Sequence, residues 1–196
     1  MATFLTDSLS VNRVRAVGVD TLNIKNAGYH CSETLIRAVW PYLLPGRELS
    51  DDVLRVVMPL RGGMAGTTGS HCGGLTIGIA MAGALYARLD PSGDACLATS
   101  VARGYWQHFL DEFGTSNCTL LRRDPPGVEA PTICGCIMVR SARLMVAYFD
   151  WLKKTQPTHG EMYSWSVDRS REECHEHVTP LRMDEVEYSQ PVKPIS

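Results

Sequence analysis

Seven cysteines in a 196-residue chain are the side chains best able to do chemistry here. Cys72 stands in the stretch Arg61 to Leu89, RGGMAGTTGSHCGGLTIGIAMAGALYARL, which is glycine-rich before the cysteine and small and apolar after it. Leu75, Ile77, Ala80, Met81, Ala84 and Leu85 are spaced as in a helix, and the glycines ahead of them read as its irregular approach. Cys72 then falls at a helix start, where free N–H groups and the positive end of the dipole favour a thiolate. That is the chemistry of a reactive cysteine or a metal ligand. The alternative is a small hydrophobe at a tight helix crossing. Gly73, Gly74, Gly78 and Gly83 each lower helix propensity by ~1 kcal/mol against Ala. Glycine at that cost marks a backbone that comes close to another helix or to a bound group.

The arrangement recurs. Cys31, in GYHCSE, lies in the first turn of a helix that turns Leu35, Ile36, Val39, Trp40 and Leu43 inward and that Pro41 and Pro45-Gly46 should end. Cys118 follows Ser116 and Asn117, either of which can cap a short helix. Cys134-Gly135-Cys136 follow a proline-bearing loop over 122–133 and precede a last helix, Ile137 to Leu152. Four helix starts, each with a thiol, form one electropositive, thiolate-lined pocket if they converge. Cys96 reads differently, as part of the packing of a helix from Cys96 to Phe113 that Gly114 caps. His30 and His71 precede Cys31 and Cys72; each is either a ligand or proton donor beside the site or an exposed residue of a first helical turn. Tyr29 and Trp40 read as core. Cys174, His175 and His177 are metal-competent within four residues, or else a solvated acidic turn.

The elements that must position these residues are helices. Further helices are expected over Ser8 to Leu22 and, after the N-cap signal Ser50-Asp51-Asp52, over Val53 to Met58. The expected fold is all-α: a compact bundle of about five to six helices over 1–154, followed by an irregular C-terminal tail over 155–196. Hydrophobic content of 44%, charged content of 20% and a net charge of −2 fit a soluble globular domain and leave no basic surplus for nucleic acid. No signal peptide or membrane-length apolar run is evident, so a cytoplasmic protein without a membrane partner is expected. In that setting a disulfide framework is not expected, and metal, cluster or redox chemistry becomes the default for the thiols. The tail carries Met162, Tyr163, Trp165 and Val167, which points to a homodimer. No Ser–His–Asp set, phosphate loop or dinucleotide fingerprint is present, so whether the chain is an enzyme stays open.

Taken together, GYHCSE (28–33), RGGMAGTTGSHCGGLTIG (61–78), FGTSNC (113–118) and CGC (134–136) resemble, in that order, the redox-active protein family named for its C–GCAxxG–C–C cysteine pattern. The likeness spans roughly residues 26–152. The family is all-helical and similar to a domain of the split-Soret cytochromes c, in which cysteines hold an iron–sulfur centre. The resemblance implies that Cys31, Cys72, Cys118 and one of Cys134 and Cys136 form either a cysteine-bound iron–sulfur cluster or a redox-active thiol set. His30 stands where the family often has Asn, and Gly73-Gly74 replaces part of its small-residue pattern. There is no Cys-x-x-Cys-His for haem attachment. The leading expectation is therefore an iron–sulfur protein that transfers electrons to a partner protein or senses redox state. A thiol–disulfide redox protein without a cofactor is the second, and a zinc-stabilised helical binding module the third; thiolates suit zinc and iron–sulfur alike.

Overall fold

A computed structural model describes residues 8–94, 96–123 and 133–155. These form seven α-helices and one 3₁₀ turn, with no strand among them beyond a single isolated bridge. The all-α class holds, and the helix number rises above five to six because two short helices stand beside the main ones. No described helix is long and apolar enough to cross a membrane. The Cys174, His175 and His177 cluster and the apolar tail residues lie outside the described residues.

Helix α1 (Ser8–Asn26) runs one turn beyond its expected end and buries Val14, Val17 and Thr21. It packs along α7 (Ile133–Thr155) and crosses α2 (Cys31–Leu43). Arg13 ties the three together, donating to Asp150 Oδ2 at 2.8 Å and to the Tyr42 carbonyl at 2.7 Å. Helix α2 does not stop at Pro41 but carries it in its last turn. A proline there forfeits one bond only, because its missing N–H would have served the Arg37 carbonyl one turn back. Helix α3 (Asp51–Val57) is capped by Ser50, whose side chain accepts from the Val53 N–H, and leads into the 3₁₀ turn Met58–Leu60.

Helix α4 (Gly73–Tyr86) sits at the centre, against α2, α5 (Leu97–Phe113) and α7. Its glycines are the price of that position. A Cβ on Gly78 would enter the Tyr105 ring, and one on Gly74 would strike Ser141 Oγ. Tyr105 is fully buried, donates its hydroxyl to the Gly74 carbonyl at 3.0 Å, and stacks with Phe149 at 6.1 Å. Tyr148 completes the aromatic core and donates to the Val101 carbonyl at 2.9 Å. Gly114 ends α5 in the left-handed region, at φ 73°. Cys96 lies outside α5, exposed just before its first residue, and not in its packing as expected.

Helix α6 (Cys118–Arg123) is short. The last helix, α7, begins at Ile133 and not Ile137, so Cys134, Gly135 and Cys136 lie inside it. Gly135 weakens the added turn by ~1 kcal/mol. Burial of Cys136, Ile137 and Val139 in the core outweighs that loss.

Candidate thiol site

The site starts from two short segments held side by side. Ser70 to Cys72, before α4, runs antiparallel to Ser116 to Cys118, which leads into α6, with a single bridge between His71 and Asn117. The Cys72 N–H donates to the Ser116 carbonyl at 2.8 Å and the Cys118 N–H to the Ser70 carbonyl at 2.9 Å. Thr119 adds two bonds to the Thr68 carbonyl, from its N–H at 3.0 Å and its hydroxyl at 2.8 Å. Asn117 donates its amide to the Gly69 carbonyl at 3.0 Å and accepts from the Leu120 N–H at 3.1 Å, capping α6. Cys72 and Cys118 are thereby neighbours although far apart in sequence.

The glycine-rich approach makes this possible by curling tightly. Gly62, Gly63 and Gly66 have positive φ, as do Met64, Ala65 and Thr68 at 59°, 52° and 59°. Left-handed conformations cost a non-glycine residue roughly 1–2 kcal/mol each. Here they are held by the pinned ends: the Thr68 N–H donates to the Gly62 carbonyl at 2.8 Å, and the Thr67 hydroxyl to the Gly63 carbonyl at 2.6 Å.

The other two thiols come from helix starts. Cys31 is the first residue of α2, and a Cβ on Gly73 would lie 2.8 Å from its Sγ. Gly73 therefore leaves the space in which the α2 start and the α4 start meet. Cys134 enters from the first turn of α7, half-buried. Residues two apart on a helix point about 200° apart, so Cys134 and Cys136 cannot face the same site. Cys134 is the one whose charge is felt by Cys72 and Cys118; Cys136 is buried in α7.

The electrostatics reverse the expectation of favoured thiolates at helix starts. Burial pushes the Cys72 thiol up to about 12, against the help of the Gly74 N–H, which donates to its Sγ at 3.4 Å. Its neighbours Cys118, Cys31 and Cys134 push it further, since like charges disfavour one another. Cys118 and Cys134 are also raised, chiefly by burial. Arg122 on α6 opposes the rise at both, and Lys25 at the end of α1 opposes it at Cys134. These two cations went unnoticed in the sequence. Their only signal there is that each lies in the last turn of a helix that brings it to the thiols.

The histidines divide. His30 is the exposed N-cap of α2, its N–H donating to Glu33 Oε2 at 3.3 Å. His71 is half-buried outside any helix, with Nδ1 3.0 Å from Ser116 Oγ and its ring edge-on to Trp106 at 4.8 Å. Trp40 is core as expected, but Tyr29 is a surface residue, with the Arg37 guanidinium over its ring at 4.5 Å. Among the described residues all six cysteines are free, and no three His, Cys, Asp or Glu side chains form a group that could hold a metal ion.

A family model described as "Putative redox-active protein (C_GCAxxG_C_C)" matches residues 29–148, well over half of the chain. No curated protein and no solved structure matches it significantly.

Proposed function

The chain belongs to that redox-active family, and on this premise we propose that Cys31, Cys72, Cys118 and Cys134 form one thiolate site for an iron–sulfur cluster used in electron transfer or redox sensing. The observation that carries the reading is that four cysteines from four separate elements lie near enough to act on one another's charge. All-sulfur donors are the chemistry of iron–sulfur clusters. Each cysteine of such a cluster can bind a different iron, which tolerates a wider spread of sulfurs than a single ion does. One zinc ion would have to draw the thiols inward before it could be held.

When bound, a cluster supplies one-electron chemistry through sulfur-ligated iron. The chain's own part is to hold and tune it. The Gly74 N–H aimed at Cys72 Sγ and the positive charges of Arg122 and Lys25 favour a more negative, more reduced site. Burial of Cys72 and Cys118 keeps water from their sulfurs.

A second reading is thiol–disulfide exchange, favoured by the seating of Cys31 Sγ against Gly73, next to Cys72. It is the weaker of the two. A thiol pushed that far up by burial stays protonated at neutral pH, and the thiolate is the attacking species. A bound metal removes that handicap by supplying positive charge.

The test is anaerobic purification and reconstitution, with iron, sulfide and zinc analysis and a visible spectrum. Iron and sulfide should be present in wild type, lost in Cys72→Ser and Cys134→Ser, and retained in Cys96→Ala and Cys136→Ala. Iron that survives Cys72→Ser, or its absence from reconstituted wild type, refutes the cluster. In the second case, an oxidised form with one disulfide would establish the exchange reading.

A further inference from the structure

Two adjoining cavities, of about 460 and 750 Å³, lie along the seam between α1 and α2. They share Asn23, Ile24, Arg37 and Pro41 as walls and so form one groove. The larger half is in the size range of small-molecule sites, roughly 300–1,000 Å³. Its apolar walls include Ile24, Trp40, Leu44 and Leu49.

Arg37 stands at the junction. Its Nε is buried without a hydrogen-bond partner. A guanidinium is always charged, and a buried N–H on it without an acceptor is an unfilled demand. The Tyr29 ring covers one face of the group at 4.5 Å. Tyr29 is itself at the surface, 36% exposed. No carboxylate within the groove answers Arg37. Asp20, in the narrower half, accepts from the Tyr42 hydroxyl at 2.6 Å. Arg13, also in that half, is engaged with Asp150 at 2.8 Å. The wide half has no acidic wall, and Arg47 adds a second positive charge at its rim.

We propose that this groove binds an organic acid, its carboxylate on the edge of the Arg37 guanidinium beside the Asn23 amide and its apolar body along Ile24, Trp40, Leu44 and Leu49. The planar fork of a guanidinium matches a carboxylate in two parallel N–H···O bonds, which selects a carboxylate over a neutral group of the same shape. Asp20 at the narrow end repels the anion and fixes which way round it lies. No cysteine lines the groove, so the inference stands apart from the thiol chemistry.

The test titrates the full chain with 1-naphthoate and with its neutral counterpart 1-naphthamide, by calorimetry or ligand-observed NMR. The acid should bind wild type about tenfold or more tightly than the amide. Arg37→Gln should abolish that preference while leaving the circular dichroism, the melting curve and the iron content unchanged. Equal binding of acid and amide to wild type overturns the proposal without need of any variant. So does the absence of acid binding at millimolar concentration, or an unchanged preference in a folded Arg37→Gln protein.

Discussion

Cys72 shows how one residue can be placed by its local signal and yet owe its chemistry to the whole fold. Its position at the N-cap of α4 was legible, because glycines before it and apolar spacing after it mark a boundary. Its ionisation was not legible, because burial is set by partners from other elements and overrides the helix dipole. The native thiol is raised from an ordinary 9.0 to about 12. Above pH 9 the unfolded chain gives up this proton before the folded one does. The contribution to stability is therefore complete below about pH 9 and is lost as pH climbs towards 12. In metal-free protein, the urea midpoint of wild type should fall more steeply between pH 8 and pH 10.5 than that of Cys72→Ala. Parallel slopes would contradict the burial of this thiol. The comparison isolates Cys72 from Cys118, Cys134 and Tyr42, which are raised as well and act in the same direction.

At the scale of elements, the helix periodicity identified every main helix, and the errors fall at ends. α2 runs past Pro41, since a proline in a last turn removes only one bond. α7 gains a turn over Cys134 to Cys136, where intrinsic propensity is poor and core burial decides. That turn separates two cysteines the sequence could not tell apart, because only a helical twist sends Cys134 and Cys136 to different faces. The close packing of α4 gives a direct test. Gly78→Ala would put a methyl into the fixed, hydrogen-bonded Tyr105 ring and should destabilise the protein by about 1–3 kcal/mol. Gly83→Ala, on the same helix with nothing within 4 Å of the added Cβ, should be neutral or stabilising by up to ~1 kcal/mol. Chemical denaturation of the two variants measures the contrast, and an equal loss in both would mean that α4 does not depend on close approach.

At the scale of the molecule, Cys31, Cys118 and Cys134 lie in α2, α6 and α7 and Cys72 caps α4, so the proposed site forms only when the bundle is closed. An occupant that binds the folded state alone stabilises it by mass action, by ~2.7 kcal/mol at a free concentration a hundred times its dissociation constant. Iron-loaded protein should accordingly melt several degrees above the stripped form, whereas stripped and treated Cys72→Ser should melt together. A loaded wild type with no rise in melting temperature would mean that iron sits elsewhere.

The strap that sets Cys72 beside Cys118 spans the middle of the chain, but Cys134 arrives only with α7, the last described helix. During synthesis, a ribosome that has released α1 to α6 still holds back the fourth sulfur. The nascent chain can thus offer only three of these four thiols until α7 follows, so the proposed four-cysteine site assembles no earlier than that helix.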